Sequence, residues 1–241
     1  MMRLMELAVR GVAEAAVVRV AALVTGGKDS TLSLHRAVGE GHHVACLVTM
    51  LPSREDSWMF HFPNIHLTGL LAEAVGIPLV RAETSGGPEE ELRDLRALLA
   101  TLDVEGVVHG AVASRYQKSR IDAVCRELSL EPIAPLWGED PERLLREMID
   151  LGFHAVIVGV YAYGLDRGWL GRRIDLAALR DLAELNRRHG ISIVGEGGEY
   201  ETLVLDAPLF KKRIRLLQTE TVWEDHSGHL TVKKAELVDK A

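Results

Sequence analysis

Thr25-Gly26-Gly27-Lys28-Asp29-Ser30 places a glycine pair, a cation, an acid and a hydroxyl in immediate succession. The apolar run VVRVAALV at 17–24 precedes it and reads as a buried strand. From Asp29 to Val38 the spacing is helical, ending at Gly39 and Gly41. A strand, a glycine turn and a helix make a phosphate site for physical reasons. Glycines let the backbone approach an anion with no Cβ in the way. The unpaired N–H groups of the first helical turn carry the positive end of the helix dipole. Lys28 adds a point charge, and Ser30 a hydroxyl that can also cap the helix. A Walker A loop would have glycine where Ala22 stands and Ser or Thr where Asp29 stands, and no GxGxxG fingerprint is present. An acid beside a polyphosphate repels it unless a cation stands between them, so Asp29 is read as a ligand for Mg²⁺. Thr25, Gly26, Gly27, Lys28, Asp29 and Ser30 are therefore candidates for nucleotide binding, with Lys28 and Asp29 taking part in the chemistry.

A second constellation is Gly195-Glu196-Gly197-Gly198-Glu199-Tyr200-Glu201-Thr202. Carboxylates this close destabilise one another, and the clustering suggests a cationic ligand. A solvated acidic turn before a strand would have the same composition, and both readings stay open. A third is His109-Gly110-Ala111-Val112-Ala113-Ser114-Arg115-Tyr116-Gln117 with Arg120, polar groups that follow an apolar strand. Tyr161, Tyr163 and Trp169 lie in a stretch from Gly159 to Gly171 that reads as a lid or as a set of packing anchors. Cys46 and Cys125 are isolated in apolar runs and read as small buried side chains. No Cys/His cluster has metal spacing, so His61 and His66 are assigned to hydrogen bonding.

The elements that must hold these groups alternate. After the first strand and helix come a strand at Val44–Met50, a helix at Leu67–Val75, a short strand opened by Pro78 and a helix from Pro88 to about Leu102. Glu89, Glu90 and Glu91 open that last helix, where its dipole favours acids. A strand at Gly106–His109, a helix at Lys118–Leu128 and an extended Pro132–Pro135 follow. Strand and helix in repetition specify an α/β fold, a Rossmann-like doubly wound parallel sheet with helices on both faces. Beyond Trp137 the expected elements are helices at Pro141–Leu151 and Leu176–His189, and strands at Ala155–Val160, Ile191–Val194, Arg213–Thr221 and Leu230–Leu237. The boundaries are a nucleotide-binding domain at 1–135 and a smaller C-terminal α/β domain at 136–241, with the ligand in the cleft between them.

Composition agrees with an enzyme of this size. The chain has 241 residues, 47% of them hydrophobic and 26% charged, and a formal charge of −7 that tilts against stable nucleic-acid binding. No run is long enough to span a bilayer, and charges interrupt the apolar N-terminus before it could serve as a leader, so no membrane contact and a cytoplasmic location are expected. An oligomer is compatible with these features.

The string from Thr25 to Ser30 resembles the signature loop of the PP-loop (adenine nucleotide alpha hydrolase type) ATP pyrophosphatases, with threonine in place of the usual serine. Within that superfamily the chain resembles the diphthine–ammonia ligase family closely. That family has G-E-G-G-E-Y-E-T followed by D-x-P-L-F, matched here by Gly195–Thr202 and by Asp206-Ala207-Pro208-Leu209-Phe210. Its G-A-x-x-S-x-Y-Q-x-x-R segment is matched from Gly110 to Arg120, and its S-Y-M-Y/F-H-x-P-N segment by Ser57–Asn64 with Trp58 as an aromatic variant. Leu136-Trp137 and Leu144–Met148 match as well. The resemblance runs from about 17 to 220, and this chain has no counterpart of the extra C-terminal domains of long members.

The resemblance implies an enzyme that adenylates a carboxylate with ATP and Mg²⁺ and amidates it with ammonium. The substrate would be diphthine on translation elongation factor 2, a modified histidine bearing a carboxylate and a trimethylammonium group. It implies roles for Gly110 in nucleotide binding, and for Ser114, Tyr116, Gln117, Arg120, Glu196, Gly197, Gly198, Glu199, Tyr200, Glu201 and Thr202 around the substrate. The glutamates and Tyr200 would surround the quaternary cation, or one of the glutamates, with Glu199 the candidate, would deprotonate ammonium. The alternatives are a PP-loop enzyme modifying tRNA and a non-catalytic ATP-binding protein.

Overall fold

The structure is a computed structural model and describes residues 17–52, 64–84 and 87–240. The expected segment Ser57–Pro63, with His61, and the first sixteen residues lie outside that description. The elements are β1 (Arg19–Leu23), α1 (Lys28–Gly39), β2 (His43–Pro52), α2 (Thr68–Val75), β3 (Leu79–Thr84), α3 (Pro88–Leu99), β4 (Gly106–Val108), α4 (Arg115–Glu127) and β5 (Glu131–Ile133). After them come α5 (Pro141–Asp150), β6 (His154–Val160), α6 (Leu176–His189), β7 (Tyr200–Asp206), β8 (Lys212–Glu224) and β9 (Ser227–Asp239).

Strands β1 to β5 form one parallel sheet in the order β3-β2-β1-β4-β5. Val20, Ala21 and Ala22 of β1 and Leu47 to Met50 of β2 are all buried, as central strands covered on both faces must be. The chain winds outward from β1 through β2 to β3, then returns to β4 on the other side of β1. That reversal opens a crevice at the carboxyl ends of β1 and β4, where open α/β sheets bind ligands. Residues 25–27 and 109–114 leave the sheet there.

A second sheet, antiparallel in the order β7-β6-β9-β8, follows in the chain. One apolar core lies beneath α3 and α4 and joins Val48, Met50 and Val107 to Leu95, Leu99, Ile121 and Cys125. The other runs without interruption from Val20, Ala22 and Leu47 through Leu32 and Leu34 of α1 to Leu145, Phe153, Val156 and Val204. The two sheets thus share a core, with α1 and α2 contributing to it. Each fully buried aliphatic side chain contributes about 1.5–3 kcal/mol, so this seam is a stiff joint. Both cysteines are buried and free. No helix among the described residues is long and apolar enough to cross a membrane.

Local chemistry sets the helix starts. Asp140 and Asp175 accept from Arg143 N and Ala178 N, each at 2.8 Å, and cap α5 and α6. Helix α4 begins at Arg115, three residues before the expected Lys118, because Ser114 is its cap and accepts from Gln117 N at 3.3 Å. The expected strand Ile191–Val194 is not a strand but a turn. Ile191 and Val194 are buried as a strand would have them, yet side chains serve their backbone: Asn186 Nδ2 donates to Ile191 O at 2.7 Å, and the Tyr200 hydroxyl donates to Ile193 O at 2.6 Å. No strand partner is left to them, and β7 starts nine residues after Ile191, at Tyr200.

Candidate active site

A cavity of about 470 Å³ opens at the crevice, lined by the loop after β1, the loop after β4 and the segment 195–202. Helix α1 has Gly27 as its N-cap, which has no side chain to cap the first turn, and Lys28, Asp29 and Ser30 of that turn line the cavity. Gly26 takes a φ of +89°, in the region that favours glycine, and its carbonyl accepts from Val204 N of β7 at 2.9 Å. Ser30 Oγ accepts from Thr25 N at 3.3 Å and donates to Gly27 O at 3.1 Å, closing the loop on itself. Gly110 faces this loop: a Cβ there would come within 2.8 Å of Ser30 N and 2.9 Å of Asp29 C.

Lys28 is 3% exposed. Its ammonium donates to Asp29 Oδ2 at 2.7 Å and to Val194 O at 2.5 Å, and lies 5.2 Å from the centre of the Tyr200 ring. Its backbone N–H donates to Thr202 Oγ1 at 3.1 Å. The phosphate-type loop of the first half is therefore held by the turn and strand of the second. Burial pushes the Asp29 carboxyl up, the neighbouring Lys28 charge and hydrogen bond pull it down, and the Glu196 charge adds to the upward push.

The acidic segment divides into three different environments. Glu196 Oε1 accepts from the N–H groups of Val112, Ala113 and Ser114 at 3.1, 2.7 and 2.6 Å, latching the second half onto the start of α4. Glu199 accepts from Ser192 N and Gly197 N, each at 2.8 Å, and does not line the cavity. Glu201 lines it, and burial pushes its carboxyl up to about 8, with Lys28 pulling down and Asp29 pushing up. Gly197, Gly198, Tyr200 and Thr202 line it too. Tyr200 is buried, and its ring carries Lys28 on its face instead of standing open for a ligand cation. The burial pattern explains the division. Tyr200 and Thr202 alternate with Glu201 along β7, and only the first two of these three residues meet Lys28 directly.

Ser114, Tyr116 and Gln117 also lie on the wall. Arg120 does not; its guanidinium stacks at 3.5 Å over the ring of Tyr116 and so supports a residue that does. Tyr161 and Tyr163 are 41% and 81% exposed, while Trp169 is buried beneath the Arg172 guanidinium. His66, assigned to hydrogen bonding, has Nε2 at 3.1 Å from Val232 O.

One group on the wall escapes sequence reasoning, and His109, which opens the polar stretch after β4, lines it as well. Leu23, Val48, Met50 and Ile121 make an apolar compartment at the strand ends, indistinguishable in sequence from core. His109 is 1% exposed at the end of β4, its Nδ1 accepting from Ala111 N at 3.4 Å and its Nε2 standing 3.7 Å from Asp122 Oδ1. A histidine closing an apolar strand was the available signal.

Among the described residues no three Asp, Glu, His or Cys side chains gather as a metal site. Asp29 fits the single protein carboxylate of a Mg²⁺ ion whose other ligands are phosphate oxygens and water. Its buried carboxyl, raised by desolvation, is a group that an added cation would favour in ionised form.

Residues 18–132 match the diphthamide synthase N-terminal domain, and residues 140–238 match the diphthamide synthase C-terminal domain. Curated relatives are named diphthine–ammonia ligase. That of Bos taurus is 39% identical over 227 residues, and that of Homo sapiens 38% over 227, each alignment covering 85% of either chain. The Schizosaccharomyces pombe protein of the same name is 37% identical over 239 residues, which are 90% of this chain and 39% of that one. A solved structure described as a predicted subunit of tRNA methyltransferase from Methanocaldococcus jannaschii aligns over 80% of this chain and 98% of that one, at 18% identity and a TM-score of 0.45.

Proposed function

The chain belongs to the diphthamide synthase family, and from that membership we propose that it is a diphthine–ammonia ligase that uses ATP to turn the diphthine carboxylate of translation elongation factor 2 into an amide. The observation that carries this reading is the meeting, in one cavity, of the Gly26–Ser30 loop with the acidic segment 196–202. A carboxylate resists ammonia because its leaving group would be oxide. Transfer of AMP from ATP to that carboxylate provides a good leaving group and releases pyrophosphate.

The residues divide the work along the cavity. The apolar compartment of Leu23, Val48 and Met50 suits a flat base, and the loop after β1 suits the phosphates beyond it. Gly26 and Gly27 keep side chains out of the way, and the first turn of α1 offers the N–H groups of Asp29 and Ser30 to the departing pyrophosphate, those of Lys28 and Thr31 being taken by Thr202 and Gly27. Thr25 and Ser30 keep that loop closed. Lys28 holds fixed positive charge where negative charge grows, already oriented by Asp29 and Val194 and needing no rearrangement during the reaction. Mg²⁺ at Asp29 would supply charge screening between the phosphates and this acid.

Ser114, Tyr116 and Gln117 face the loop from the other wall and are assigned to the modified histidine, with Arg120 steadying Tyr116. Glu196 is assigned to holding that wall against the segment 195–202. Substrate and nucleotide then meet in one cleft, which replaces a rare encounter with a positioned one. The factor is a cytoplasmic protein, and the enzyme is placed in the same compartment.

The test combines the protein with ATP, Mg²⁺, ammonium and diphthine-bearing factor. Factor-dependent AMP and pyrophosphate, together with a mass loss of about one dalton at the modified histidine as acid becomes amide, supports the reading. AMP formed with tRNA alone contradicts the substrate, and no AMP under any condition contradicts the chemistry.

A further inference from the structure

We propose that Glu201 is the general base that takes a proton from ammonium and delivers ammonia to the activated carbonyl. This rests on the ligase reading above and deepens it by assigning the residue that handles the nitrogen substrate.

Three neighbouring glutamates differ in what holds their carboxylates. Glu196 accepts three backbone N–H groups and Glu199 accepts two, so the carboxylates of both are already committed to holding the backbone around them. Glu199 is moreover off the cavity wall. Glu201 is on the wall, and among the described residues no hydrogen bond commits its carboxylate. It is on β7 and lines the same cavity as Lys28, Asp29 and Ser30 of the phosphate-type loop.

The charged and titratable groups facing it are Lys28 and Asp29 from α1 and Tyr161 from the segment after β6. Glu201 and Tyr161 meet at Gly159: a Cβ on that glycine would lie 3.0 Å from the Glu201 Cβ and 2.8 Å from the Tyr161 ring and hydroxyl. Only a residue without a side chain leaves room for both. Burial, and after it the charge of Glu201, pushes the Tyr161 hydroxyl up to about 12, so that group keeps its proton and offers a ring and a neutral donor. Burial also brings the Glu201 carboxyl to about 8, within the range in which a base works efficiently near neutral pH.

Glu201 takes one N–H proton from ammonium, and the freed lone pair forms the C–N bond. The C–O bond to phosphate breaks, and its electron pair leaves with AMP. A second N–H proton is lost to the AMP phosphate or to water, leaving the neutral amide.

Glu201→Gln tests this in two half-reactions. Factor-dependent exchange of pyrophosphate into ATP uses no ammonia and serves as a control for folding and for carboxylate activation. Amide formation from ammonium should fall by about 10²–10⁴-fold, the usual weight of a general base. Hydroxylamine is already neutral and nucleophilic near pH 7, so hydroxamate formation by the variant should stay within a few-fold of the unaltered protein, and Glu201→Asp should recover part of the ammonium reaction. An equal loss with hydroxylamine and ammonium would overturn the assignment. So would a rise in KM for the factor at unchanged kcat, which would mean that Glu201 holds the substrate's own cation. Absence of exchange in the unaltered protein would instead remove the ligase reading, and this proposal with it.

Discussion

His109 illustrates what one side chain imposes. Its ring is buried, and burial lowers its pKa from 6.5 to about 4, with Asp122 pulling up and Lys118 pushing down. The folded protein therefore declines a proton that the unfolded chain accepts between those two values. Stability from this group is complete above pH 6.5 and is lost as the pH falls toward 4, by about 3 kcal/mol in all. Denaturant titrations across that window should show a shallower acid loss in His109→Gln than in the unaltered protein. Lys28→Ala should reduce factor-dependent AMP formation by about 10² or more, as the removal of fixed charge at a developing anion does. It also strips Asp29 of its countercharge, so a Lys28→Met, Asp29→Asn double variant, which retains neither buried charge, should be the more stable of the two and equally inactive. At this scale the sequence was readable where function is local. Gly26 to Ser30 form one contiguous string, whereas Glu196, Glu199 and Glu201 look alike in sequence and differ by which N–H groups reach them: three from 112–114 for Glu196, those of Ser192 and Gly197 for Glu199, and, among the described residues, none for Glu201.

Elements place these residues through a few close approaches. Gly110 leaves β4 against the backbone of Asp29 and Ser30, so Gly110→Ala must push the loop aside. A cost of about 1–3 kcal/mol is expected from the overpacking, with ATP affinity reduced at least tenfold in equilibrium binding. Asn64 ties the start of α2 to β9 in the manner of a strand partner: Nδ2 donates to Leu230 O at 2.9 Å, and Oδ1 accepts from Val232 N at 2.7 Å. It is fully buried, and Asn64→Ala leaves a backbone donor and acceptor unpaired, for a loss of about 2–4 kcal/mol in chemical denaturation. Alternating strand and helix made the first sheet predictable, and caps such as Asp140 and Asp175 fix the helices where their periodicity begins. The turn at 191–194 was not predictable, because an apolar alternation that looks like a strand is satisfied there by Asn186, Glu199 and Tyr200 side chains. The early start of α4 has a similar origin, in a serine cap that looks like an ordinary loop residue until its partner is known.

Over the whole molecule, the two sheets share one apolar core, and polar contacts cross between the halves. Arg36 of α1 binds Glu147 of α5 at 2.6 Å, and at the site Lys28 reaches Val194 and Glu196 reaches the start of α4. Heat and denaturant should therefore unfold both halves in one transition, with coincident curves from probes in each half; two separated transitions would show that the shared core is weak. On the proposed function, activity depends on this joint, since neither half holds both the loop and the acidic segment. On that reading the diphthine carboxylate is activated by adenylation at the joint, and isotope transfer tests this directly. With ¹⁸O in the carboxylate of the modified factor, one turnover with ATP and ammonium should leave one labelled oxygen in AMP and none in pyrophosphate. Label appearing in inorganic phosphate alongside ADP, or amide formed with no label in AMP, would contradict it.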